Sequence, residues 1–274
     1  MKRVATYSLL LVAGLAGSQL LPGLLGESFA STSTVIRLLT MLCLSFIMIH
    51  VGLEFQVDRS RLRSYAVDYG VAATAAAFPW IFCAVYFVAV LSGPGAWSSF
   101  DAWKEALLAG RFAAPTSAGV LFSMLAAAGL AGTWLFRKAR TLAIFDDLDT
   151  VLLMIPLKMM MVGVRWQLAV IVLIMAVQVW AGWKYLHRLR LPHSWGWVMS
   201  YAAAITLFSE AIYAASKQID DVVPIHIEVL LPAFVLGCMI AGPEHSSEHG
   251  SASHSTEDER VSLIVSAAFM ALVG

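Results

Sequence analysis

From Tyr69 to Phe100 the chain carries no charged side chain. That stretch exceeds the roughly 20 apolar residues a helix needs to cross a hydrocarbon core, and it is not alone. Long apolar runs also occupy 4–25, 33–55, 64–92, 103–130, 139–163, 166–186, 194–216, 228–242 and 261–274. Barrel strands would alternate polar and apolar residues every second position, and these runs do not. Composition agrees: 59% of residues are hydrophobic, 13% are charged and the mean hydropathy is +0.78. Ordinary globular proteins carry about 25% charged residues. The expected fold is an all-α polytopic membrane protein of about nine transmembrane helices. The eighth run is short and contains Pro232.

The net charge is zero and the pI about 7.1, which gives no basic footprint for nucleic acid. Cys43, Cys83 and Cys238 all lie in apolar runs, without the spacing of a metal site or a disulfide framework. Lysine and arginine set the orientation, because positively charged connections stay cytoplasmic. Alternate connections collect twelve of these residues on the side of Lys2 and Arg3, against four on the other side, with Arg37 and Arg111 inside runs. The expected location is a bacterial inner (cell) membrane with the N-terminus cytoplasmic. Lys2 and Arg3 before an apolar run, with Ala13, Ala16 and Gly17 behind, also fit a cleavable leader. The polar segment 243–260 reads as a flexible cytoplasmic loop; its His245, His249 and His254 could hold a metal ion or simply be solvated.

Ionisable side chains within apolar runs are expensive and mark function. Asp146 and Asp147 follow Lys138 closely enough to lie ~12–14 Å into a ~30 Å core. Two adjacent carboxylates there resist being charged together, so one can hold a proton until a cation arrives. Neutralisation by Arg111 or a lysine would instead make them structural. Asp149 sits three residues past Asp146 and could line an ion path or pair with Arg111. Arg111 precedes FAAPTSAGVLF, where Pro115 removes a backbone donor, Thr116 and Ser117 add hydroxyls and Gly119 adds freedom. A helix broken there would offer backbone groups to an ion; a plain proline kink is the alternative. Glu210 reads as a helix–helix contact more than an ion ligand, Glu54 as an interfacial acid, and His50 as a satisfied histidine.

These segments resemble a known family. VGLEFQVDRSRLR at 51–63, AAPTSAGVLFSML at 113–125, AIFDDLDTVLL at 143–153 and SEAIYAASKQIDDVVPIHIEVLLPAFVLGCMIAG at 209–242 are similar to segments of monovalent cation:proton antiporters of the bacterial cation:proton antiporter superfamily. The resemblance implies an inverted-repeat fold with a broken fourth helix, and one exchanger domain over 1–274. Asp147 would alternate between proton and cation, Asp146 would be its partner, and Pro115, Thr116 and Ser117 would shape the break. The double acid matches the electrogenic pattern. Arg111, Asp149 and Glu210 would be auxiliary at most, the first two being charges the pattern does not require. The family's second inverted half, with its lysine, is not found in the chain. The coding frame is therefore expected to continue past Gly274 with about three more helices. A short echo, FIMIHVG at 46–52 and FMALVG at 269–274, fits a second half beginning there.

The implied activity is secondary transport rather than catalysis, exchanging Na⁺ (or K⁺) for H⁺ without a cofactor. Lipid and the transported ions are the expected partners, with a homodimer allowed. A sodium-coupled symporter of the same architecture is the alternative within transport, and a structural or receptor protein the alternative outside it. An intramembrane aspartyl protease would need YD and GxGD strings, which do not occur.

Overall fold

The computed structural model describes residues 2–53, 55, 62–93, 95–113, 117–130, 132–163, 165–219, 225, 227–240 and 256–274. They form an all-α protein whose helices follow the apolar runs. In chain order these are α1 (Lys2–Leu25), α2 (Phe29–Leu53), α3 (Leu62–Tyr86), α4 (Phe100–Gly110), α5 (Ala118–Ala127), α6 (Trp134–Val162), α7 (Trp166–Lys184), α8 (Trp195–Ile219), α9 (Leu230–Met239) and α10 (Thr256–Val273). Five stretches are long and apolar enough to cross a membrane: Val4–Leu24, Phe29–Leu53, Tyr65–Leu91, Trp166–Lys184 and Trp195–Ile219. That is the build of a multi-pass integral membrane protein. α6, at 29 residues, reaches about 43 Å, but its apolar stretch among the described residues is the shorter Leu152–Met161, which holds Lys158. The eighth and ninth runs form short apolar helices, Leu230–Met239 and Arg260–Val273.

Run 103–130 is divided. α4 ends at Gly110, a 3-10 turn covers Arg111–Ala113, and α5 starts at Ala118. Local chemistry sets the neighbouring ends. The Ser99 hydroxyl accepts from the Ala102 N–H at 3.3 Å to start α4. The Thr133 hydroxyl does the same for Phe136 at the start of α6, also at 3.3 Å. Gly163, at φ 82°, ends α6 in a conformation other residues avoid.

One boundary differs from the sequence reading. Residues 256–260, assigned to the polar loop, form the first turn of α10. Thr256, Glu257 and Asp258 are polar because a helix N-terminus favours acids, and Asp258 Oδ1 also accepts from the Trp195 N–H at 3.2 Å. The rest of that loop, with His245, His249 and His254, lies outside the described residues, as does Glu54. α1 runs unbroken through Ala13, Ala16 and Gly17 and packs along α10.

α2 is the centre of the molecule. Its second half, Ser45 to Gly52, is buried against α8, α9 and α10, with Phe122 of α5 and Phe136 of α6 completing the core. Contact with α9 is by backbone. A Cβ on Gly52 would stand 2.4 Å from the Phe234 carbonyl oxygen, and one on Gly237 would stand 2.3 Å from that of Ile49. The α1–α10 crossing repeats this device: Gly14 lies against the Ala271 carbonyl and Gly274 against that of Leu11. Small residues permit such approach where lipid supplies no hydrophobic drive. Gly52 and Gly274, the last letters of the echoed strings, thus serve the same purpose at two crossings.

Polar links join the outer helices. Arg37 on α2 pairs with Glu210 on α8 at 2.7 Å, and the α3–α6 contact holds Lys138 Nζ against Asp68 Oδ1 at 2.5 Å. Asp68 is buried, whereas the lysine side chain is one-third exposed. Lys138→Met is expected to cost about 2 kcal/mol, because it strands a buried charge whose partner was only partly desolvated. Asp68→Asn combined with Lys138→Met should recover part of the loss. Thermal melts of the two variants in detergent check this, and equal losses would show that the ion pair contributes nothing.

Candidate functional site

α6 presents different chemistry on opposite faces. Toward α3 it turns Lys138, then Phe145, whose ring meets that of Tyr69 edge-on at 5.6 Å between centroids, then Asp149, within hydrogen-bonding reach of the Tyr69 hydroxyl. Further along, Met154 and Leu157 pack on Trp80, whose indole N–H donates to the Leu107 carbonyl of α4 at 2.6 Å. Asp146 and Asp149 are both buried, at 5% and 3% exposure. Asp149 Oδ2 has no hydrogen-bond partner among the described residues. A buried carboxylate oxygen in that state costs free energy, so this end of the site stores polarity that packing alone does not use.

The other face of α6 borders a cavity of about 310 Å³, closed by α7, α9 and the turn after α4. Ile144, Ile155 and Lys158 supply the α6 wall, and Phe234 supplies part of the α9 wall. At about 100° per residue, positions 144, 147, 151, 155 and 158 share one stripe of the helix. Position 147 is therefore on the cavity's side of the backbone, while 146 and 149 lie round the helix from it. The side chain of Asp147 is outside what is described.

Ile225 and Ile227, ahead of α9, are non-helical, and hydroxyls of α8 hold them. Ser209 Oγ donates to the Ile227 carbonyl, while Ser216 Oγ accepts from the Ile225 N–H at 2.8 Å. Irregular backbone among apolar helices survives only where its polar groups are satisfied in this way. The clamp holds Glu228 at the cavity rim, with its Oε1 3.9 Å from Arg111 Nη2 and Lys158 within electrostatic range of both.

Arg111 therefore faces Glu228, not Asp149 as the spacing suggested. Arg111 lies at the foot of α4 on the cavity side of α6, whereas Asp149 points toward α3. Of the cations near these acids in sequence or fold, Arg111 stands 3.9 Å from Glu228 and Lys138 pairs with Asp68. Glu210 is the helix–helix contact its position suggested, through Arg37. His50 is satisfied: its Nδ1 donates to the Phe46 carbonyl at 3.1 Å. Ser117 precedes α5 in extended backbone, is exposed, and its side chain does not cap the helix. Pro115 and Thr116 lie outside the described residues. Asp68, Ser123, Glu228 and the Ser209–Ser216 clamp were not singled out from sequence. A polar residue within an apolar run marked Ser123, whose buried Oγ has no partner among the described residues.

Among the described residues no three His, Cys, Asp or Glu converge as a metal site would need. The three cysteines are free thiols. No protein-family model matches the chain, and no curated protein or solved structure matches it.

Proposed function

We propose that the protein is a secondary transporter that exchanges a monovalent cation, Na⁺ or K⁺, for protons at the Asp146–Asp147 pair. The observation that carries this reading is the cavity on the α6 stripe of position 147. That cavity, about 310 Å³ in volume, borders the same helix as the double acid, whose first member is buried. The division of the fourth run into α4 and α5 supports it, since a helix interruption frees backbone groups that can complete an ion's coordination. In this mechanism a cation reaching Asp147 displaces its proton, and Asp146 supplies the second negative charge. Departure of the cation leaves a carboxylate pair that recaptures a proton. Asp149, held by Tyr69, positions α6 against α3 and does not meet the cation.

The test is cation-driven proton movement in vesicles holding the full-length protein, read with a pH-sensitive dye. Addition of Na⁺ or K⁺ to acid-loaded vesicles should alkalinise the lumen. A dye signal identical to that of empty vesicles for both ions would overturn the reading. Competition also fixes a sign for pH: proton and cation exclude one another at one carboxylate, so the apparent cation affinity falls as the medium becomes more acidic. An affinity that stayed flat across the active pH range would point to separate sites and to a structural acid pair.

A further inference from the structure

We infer that the cavity between α6, α7 and α9 is a binding site for a small organic monoanion, a carboxylate or sulfonate on a short apolar body. This is a second site, distinct from the acids. Among the described lining residues, its charged end holds Arg111 and Lys158 against the carboxylate of Glu228, two positive charges to one negative. At 3.9 Å the Arg111–Glu228 contact is too long for a hydrogen bond, so Glu228 does not take up the guanidinium's donor fork, which can meet a second acceptor. Arg111 and Glu228 are 40% and 53% exposed, so this end of the cavity is open at the protein's surface.

The remainder of the cavity is largely apolar, with Ile155, Ile171 and Phe234 on its walls and Gln178 as a polar exception. A volume of about 310 Å³ falls at the small end of ligand pockets, which span roughly 300–1,000 Å³. A charged head with one ring or a short alkyl chain fits both the volume and the division of polarity. Dianions would leave one charge uncompensated among apolar walls, and cations would meet two like charges. The α8 hydroxyl clamp on residues 225–227 keeps the Glu228 side of the rim in place, so the site is preformed.

Binding does not rest on the exchange reading, although one consequence does. An occupant lying along the stripe of position 147 would block a cation's approach, so the anion would inhibit exchange. Benzenesulfonate is the probe, because it stays charged at every working pH and does not shuttle protons across vesicles. Titration calorimetry on the purified full-length protein in neutral detergent at low salt should give one saturable site. Neutral benzenesulfonamide and cationic phenyltrimethylammonium should not bind. Arg111→Gln and Lys158→Gln should each weaken binding about tenfold, as loss of one charge-assisted contact does. Glu228→Gln should tighten it about threefold, a gain that misfolding cannot produce. Absence of saturable binding, equal binding of the sulfonamide, or indifference to all three substitutions would overturn the proposal. Asp147→Asn should abolish exchange while benzenesulfonate binding stays saturable and dependent on Arg111 and Lys158, so the two readings fail separately.

Discussion

Asp147→Asn is expected to reduce cation-driven proton movement to the level of empty vesicles while the protein still inserts, purifies and melts as the wild type does. Asparagine keeps the volume and most of the hydrogen-bonding capacity of aspartate but cannot release or recapture a proton. The contrast with its neighbours makes the experiment specific. Asp146→Asn should retain exchange at a weaker cation affinity, because the second negative charge is lost but the cycling group remains. Asp149→Asn should leave exchange nearly intact, since that residue lies on the α3 face with Tyr69 and off the cavity stripe. Wild-type exchange by Asp147→Asn, or equal losses at all three positions, would remove the assignment.

The second large effect is structural. Gly52→Ala should destabilise the protein by about 3 kcal/mol, the upper end of the usual overpacking penalty. For a chain of this size that amounts to roughly 6–12 °C in apparent melting temperature. The added methyl would meet not a side chain that can turn aside but the Phe234 carbonyl at 2.4 Å, with Cys238 N and Gly237 Cα at 2.9 Å. Relief requires α9 to move off α2, and that opens the core containing Met48, Ile49 and Phe234. Gly70→Ala on α3 is the control, because nothing lies within 4 Å of that position. It should be neutral or slightly stabilising through helix propensity. Equal melting temperatures for the Gly52 and Gly70 variants would mean that the crossing is looser than described.

Much of the helical layout was legible in the sequence, because apolar run length and the absence of alternation are local signals. Pro115 and its neighbours marked where the fourth run divides, since a missing backbone donor acts within one turn. The start of α10 was misread for an equally local reason: Thr256, Glu257 and Asp258 are as good a helix opening as they are a loop. The polar links were not legible. Lys138 lies 70 residues from Asp68 and Arg37 lies 173 from Glu210; pairing over such distances depends on how helices rotate against each other. Arg111 shows the hazard. Sequence spacing offered Asp149 as its partner, but the face that α6 turns to α3 carries Asp149 away from it. The cavity could not be read at all, because its walls come from four separate segments.

The α1–α10 crossing has a consequence for biosynthesis. Tyr7 donates to the Leu263 carbonyl across 256 residues of chain, and the backbone contacts at Gly14 and Gly274 are as distant. At about 5–20 residues per second, α1 leaves the ribosome roughly 13–50 s before its partner exists. For that interval lipid or the insertion machinery stands in for α10 along its glycine face. Although α2 and α5 also touch α1, its main partner comes much later, and ribosome stalling anywhere between α1 and α10 would prolong that wait.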